Sequence, residues 1–134
     1  MIQSKLRNSI QIMLIDNDKY VRESLSAFLE NEEMRILIFR SGSEGLNSLK
    51  YQNIDVVISD YYLPDMDGIS FLKKVNQLKT GIIRILMATI VTEELEKEVE
   101  QNGIDRFIEK PLTVTNLENI VSELACLKKN NPEI

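Results

Sequence analysis

Short apolar runs alternate along the chain with stretches whose apolar positions recur at helical spacing. Ile10 to Ile15, Met34 to Phe39, Val56 to Ile58, Ile82 to Ala88 and a short segment at Arg106 to Ile108 read as strands buried on both faces. Between the first two, Val21, Leu25, Phe28 and Leu29 follow the i, i+4, i+7, i+8 pattern of one buried helix face. Ser43 is the expected N-cap of a short helix through Lys50, and Ile69, Leu72 and Val75 mark a helix through about Lys79, before Gly81. Residues 92–102 also read as a helix, but Leu95 and Val99 are its sole apolar positions, so it has little to bury; Gly103 is placed to end it. The last helix carries a stripe of Leu117, Ile120, Val121, Leu124 and Leu127.

Strand and helix thus alternate five times with short connections and no repeat or internal linker. That order predicts an α/β fold: a single doubly wound parallel sheet with helices on both faces. A length of 134 residues suits one domain. Residues 1–9 are expected to be an N-terminal extension, 10–128 the domain, and 129–134 a tail or the start of a linker.

Charge and composition narrow the function. The net charge is −5 with no basic block, which speaks against nucleic-acid binding by this segment. The first residues lack a signal-peptide core and no apolar run reaches the roughly 18 residues of a membrane span, so a cytoplasmic protein without membrane contact is expected. Cys126 is the single cysteine, which rules out an internal disulfide and fits a reducing compartment. The chain has no histidine, which removes most zinc sites, Ser-His and Cys-His nucleophile pairs, and any histidine base. Its chemistry is left to carboxylates, hydroxyls and amines.

Those groups gather at the strand ends. In a parallel sheet the C-terminal ends of strands one, three, four and five open onto one edge, where open α/β sheets place their ligands. The ends carry Asp16-Asn17-Asp18, Asp60, Thr89 and Lys110. Each has an ordinary structural reading: Asp60 as a strand stop, Asp18 as a helix cap, Thr89 as a β-branched strand residue, Lys110 as a surface charge. Together they form an oxygen-rich set suited to a hard cation such as Mg²⁺ and a phosphate. A carboxylate beside such a cation can attack phosphorus, while lysine and threonine pair with phosphoryl oxygens.

The segments Met-Leu-Ile-Asp-Asn-Asp (13–18), Asp60 with Leu-Pro-Asp-Met-Asp-Gly (63–68), Leu-Met-Ala-Thr (86–89) and Phe-Ile-Glu-Lys-Pro (107–111) resemble those of the receiver domain of two-component response regulators, over about residues 10–128. The resemblance implies a flavodoxin-like five-stranded sheet in the order 2-1-3-4-5. It implies that Asp60 accepts a phosphoryl group from a phosphohistidine on a sensor histidine kinase or phosphotransfer protein. Asp16, Asn17, Asp60 and the backbone carbonyl of Tyr62 would hold Mg²⁺, and Thr89 and Lys110 would contact the phosphoryl oxygens. Phe107 would be the aromatic that turns inward on activation, alongside Thr89 as a switch residue, and Lys110–Pro111 a cis peptide. Tyr62 and Val91 would flank the path of the water that removes the phosphoryl group. The partners implied are the kinase and a downstream protein target or a missing output domain, with a phosphorylation-dependent dimer a further option.

Three positions depart from the family pattern. Asn17 stands where a second acid is usual, Ile90 replaces a small residue, and Phe107 lacks a hydroxyl. They leave open a receiver-like interaction module that no longer uses phosphate. Asp16-Asn17-Asp18 also matches the opening motif of haloacid-dehalogenase-type phosphatases, in which Asp16 would be the nucleophile. That family's acidic fourth motif is not visible.

Overall fold

The computed structural model describes residues 9–25 and 34–130, with side chains through Glu123. Phe28 and Leu29 of the expected first helix face, and the side chains of Leu124, Cys126 and Leu127, lie outside the described residues. The order is β1 (Ile10–Ile15), α1 (Lys19–Leu25), β2 (Met34–Phe39), α2 (Gly42–Leu49), β3 (Val56–Asp60), α3 (Gly68–Leu78), β4 (Ile83–Ala88), α4 (Glu93–Gln101), β5 (Arg106–Glu109) and α5 (Val114–Asn130). The strands form one parallel sheet in the order β2-β1-β3-β4-β5.

The period-2 alternation of strand side chains divides the core between the two faces of the sheet. Ile12, Leu14, Ile58, Ile85 and Met87 point to one side and pack with Leu25 of α1 and Leu117, Ile120 and Val121 of α5. Met13, Ile15, Val57 and Leu86 point to the other, against Leu49 of α2, Ile69, Phe71, Leu72 and Val75 of α3, and Val99 of α4. In α4, Val99 is buried and Leu95 half-buried, in line with the thin apolar face read from its sequence.

Local signals set the element ends. Ser41, rather than Ser43, is the N-cap of α2, its side chain accepting from the Glu44 amide; Ser43 falls inside the first turn. Asp18 does cap α1, accepting from the Tyr20 amide at 2.9 Å. Gly103 adopts φ +65 after α4, the left-handed backbone that favours glycine at a helix C-terminus. Arg84, inside the apolar β4 run, is buried and donates to the carbonyls of Leu72 at 3.2 Å, Asn102 at 3.3 Å and Gly103 at 2.7 Å. It joins α3 to the end of α4 through β4.

Candidate phosphoacceptor site

The parallel register carries the ends of β1, β3, β4 and β5 to a common edge. Ile15 pairs with Ser59, Asp60 with Met87 and Ala88 with Glu109, so Asp16, Asp60, Thr89 and Lys110 each stand at or just past a strand end. The Tyr61 amide donates to the Met87 carbonyl and the Lys110 amide to the Ala88 carbonyl, both at 2.9 Å, extending the ladder to the site's floor.

Lys110 is the meeting point. Its Nζ donates to Asp60 Oδ2 at 2.9 Å and forms an ion pair with Asp16 Oδ2 at 3.2 Å. Asp16 is 1% exposed, while Asp60 and Lys110 keep side-chain exposures of 14% and 17%. Burial works against the lysine cation, but the hydrogen bond to Asp60 and the charges of both carboxylates outweigh it and hold the Lys110 pKa above the ordinary lysine value. Burial pushes the Asp16 pKa above its ordinary 3.8 despite the Asp18 amide at 2.9 Å and the Lys110 charge, with Asp60 adding a like charge. The Asp16 Oδ2 atom accepts no hydrogen bond.

That buried oxygen, whose one partner is the Lys110 ammonium, is the observation that bears on a cation. Asp16, Asp60, the exposed Asn17 amide and the Tyr62 backbone carbonyl offer oxygen donors throughout, which fits the hard, oxygen-seeking Mg²⁺. Among the described residues no three acidic, histidine or cysteine side chains cluster in a metal-binding arrangement. The expected set has two acids and an amide, so such a cluster is not required by it.

The remaining predicted residues lie nearby but apart from Lys110. Thr89 is exposed and makes no hydrogen bond to Asp60; with Tyr61, Tyr62, Ile90 and Leu95 it lines a cleft of about 310 Å³ between the β3–α3 loop and α4. Tyr62 is 79% exposed, Ile90 73% and Val91 37%, so Ile90 stands largely in solvent at the rim of that cleft. Phe107 is half-buried against the α3-side core. The Lys110–Pro111 peptide is cis. Gly68 closes the β3–α3 loop against the sheet: a Cβ there would collide with the Asp60 carbonyl oxygen and lie 2.8 Å from Leu86 Cδ1.

Comparison with known proteins decides the family, because the model of the response regulator receiver domain matches residues 12–122. The chain belongs to the response regulator receiver domains. Response regulator Rre1 of Synechocystis sp. is 31% identical over 119 residues, covering 86% of this chain and 51% of that protein. Regulatory protein VanRc of Enterococcus gallinarum is 30% identical over 104 residues, 77% of this chain and 44% of that protein. The receiver thus spans about half the length, or less, of these curated relatives. A CheY-like receiver domain structure from Methanospirillum hungatei superposes with a TM-score of 0.81 at 24% identity, covering 91% of this chain and 98% of that one. The fold is the flavodoxin-like arrangement, and this is a receiver of two-component signalling.

Sequence reading missed two residues near this architecture. Arg84 carried a signal, a lone charge inside an apolar strand, which must be paired if the strand is buried. Asp65 did not: its partners lie 22 and 23 residues away on α2.

Proposed function

We propose that this receiver takes a phosphoryl group onto Asp60 from phosphohistidine on a sensor histidine kinase or phosphotransfer protein. The convergence of Asp16 and Asp60 on Lys110 Nζ, at 3.2 and 2.9 Å, supports this reading most directly. An Asp60 carboxylate oxygen attacks phosphorus, forming an O–P bond as the N–P bond of phosphohistidine breaks and its electron pair returns to the imidazole. Lys110 already sits on the attacking group and can follow its charge onto the phosphoryl oxygens. Asp16, Asn17, Asp60 and the Tyr62 carbonyl would hold Mg²⁺, which when bound offsets the repulsion between carboxylate and phosphate.

Signalling then follows from movement. Thr89 must leave the cleft rim for its hydroxyl to reach the phosphoryl group, and the half-buried Phe107 can follow it inward. The face carrying α4, β5 and α5 is the switched surface. Residues 93–100 hold five glutamates and one lysine on a helix with a single fully buried side chain, a weakly anchored element a local charge can bias. Its acidity suits a basic partner surface, whether a separate target or an output domain. Tyr62 and Val91 place a bulky ring and an apolar wall beside the attacking water, with no carboxylate or amide to orient it, so the phosphoryl group is long-lived. Tyr62→Asn and Val91→Glu should then each speed decay at saturating Mg²⁺.

The test is incubation with Mg²⁺ and a small phosphodonor, read by intact mass and oligomeric state. The wild type should gain one phosphoryl group and Asp60→Asn none. A phosphate-independent module would show neither incorporation nor saturable Mg²⁺ binding.

A further inference from the structure

Within the β3–α3 loop several backbone groups pair with one another, while Leu63 and Met66 pack against the α3-side core. Gly68 N donates to the Tyr61 carbonyl at 2.6 Å, Leu63 N to the Met66 carbonyl at 3.2 Å, and Tyr62 and Asp67 pair as an isolated antiparallel bridge. Asp67 caps α3, accepting from Ser70 N and Ser70 Oγ, both at 2.8 Å. Tyr62 leaves its ring largely in solvent, edge-on to the Tyr61 ring with centroids 4.9 Å apart.

Asp65 ties this loop to its neighbour by hydrogen bonds. The first turn of α2 presents the Gly42, Ser43 and Glu44 amides, which a helix cannot satisfy internally. Ser41 takes only the Glu44 amide, at 3.3 Å. The other two donate to separate oxygens of Asp65, Gly42 N to Oδ1 at 3.0 Å and Ser43 N to Oδ2 at 2.9 Å. Beside it Met66 lies so close to Gly42 that a Cβ there would be 2.8 Å from its sulfur. Burial opposes the Asp65 charge, but the Ser43 and Gly42 amides outweigh it and hold its pKa below the ordinary carboxylate value. A capping residue normally belongs to its own helix; here two of these three amides of α2 are capped by a residue 22 and 23 positions downstream of them.

We propose that Asp65 is a positioning residue for the receiver: by capping α2 across the loop it fixes the backbone of Tyr62, and so the carbonyl that would contribute to the cation site. This rests on the function proposed above. Asp65 touches neither Lys110 nor either acceptor-side carboxylate, so its effect passes through the loop backbone alone. Partners that orient a metal ligand typically change affinity about 10- to 100-fold when removed.

The experiment compares Asp65→Ala and Asp65→Asn with Ser41→Ala, which weakens the same helix cap without touching the loop. Mg²⁺ titration by calorimetry should show Asp65→Ala binding about 10-fold or more weakly than wild type. Asp65→Asn, which keeps one acceptor, should fall between, and Ser41→Ala should match wild type whatever its loss in Tm. Amide exchange without metal should show faster opening of Leu63 and Gly68 in Asp65→Ala but not in Ser41→Ala. Unchanged exchange, or equal Mg²⁺ losses in Asp65→Ala and Ser41→Ala, would overturn the positioning role. Absence of Mg²⁺ binding in the wild type would instead count against the proposed function, with exchange still deciding the role of Asp65.

Discussion

Carboxylates stand at both ends of the sheet, and the two ends treat them differently. At the N-terminal end Asp55 precedes β3 and accepts from Gln11 N of β1 at 2.9 Å; Asp105 precedes β5 and accepts from Arg84 N of β4 at 2.8 Å. Each also shares the backbone ladder: the Asp55 amide donates to the Gln11 carbonyl and the Asp105 amide to the Arg84 carbonyl, both at 2.9 Å. These acids replace missing strand partners with fixed dipoles. At the C-terminal end Asp16 and Asp60 share a flexible lysine ammonium, and the Asp16 oxygen it faces has that ion pair and no other partner. Backbone amides across the sheet stay where they are, whereas a side-chain cation can be exchanged for a ligand; Asp16 has one of each, the Asp18 amide on Oδ1 and Lys110 on Oδ2. The difference lies in the partner, since all four are aspartates beside strand ends.

The largest contrast should come from the cations. Lys110→Ala should slow phosphorylation of Asp60 about 10²-fold or more, since it removes a donor aimed at developing charge. Arg84→Met should leave the rate per folded molecule unchanged, and stopped-time phosphodonor assays with both variants would measure this. A comparable loss in Arg84→Met would erase the distinction between the ends.

Stability should reverse the ranking. Arg84→Met strands the carbonyls of Leu72, Asn102 and Gly103 and should cost about 3 kcal/mol in urea unfolding. Asp105→Ala should cost about 1–2 kcal/mol by freeing Arg84 N, with phosphorylation intact.

At the C-terminal end the sign changes. Burial raises the Asp16 pKa, so its charge is carried at a cost, and Asp16→Asn in chelator should raise stability at neutral pH by about 1 kcal/mol. The same substitution should weaken Mg²⁺ binding in the calorimeter.

The smallest effect is on acid stability. Asp65 and Asp67 have folded pKa values below the ordinary 3.8, because backbone and Ser70 donors outweigh burial. Their stabilisation is present above that value and is lost as pH falls through the folded values. A Tm series in chelator should therefore fall less steeply below pH 3.8 in Asp65→Ala than in wild type.

Most of the sheet was legible because burial on both faces writes each strand as a continuous apolar run. Ile10–Ile15 and Met34–Phe39 have the bounds expected of them, and β4 starts at Ile83 rather than Ile82. The strand-end chemistry followed from parallel order: Asp16, Asp60 and Lys110 do meet. What failed was local competition and distant pairing. Ser41 and Ser43 are equal in propensity, and the extended backbone at Ser41, φ −135, selects the cap. The exposure of Thr89 depends on how its loop packs beside α4, and the reach of Asp65 to α2 on tertiary closure; neither leaves a periodic trace.

The central claim is that reactivity belongs to Asp60, the partly exposed carboxylate held by Lys110. Borohydride trapping after phosphodonor treatment, followed by peptide mass mapping, tests it most directly. The reduced residue should be Asp60 alone; trapping at Asp16, as a phosphatase-type nucleophile would give, or at Asp55 or Asp105, would contradict it.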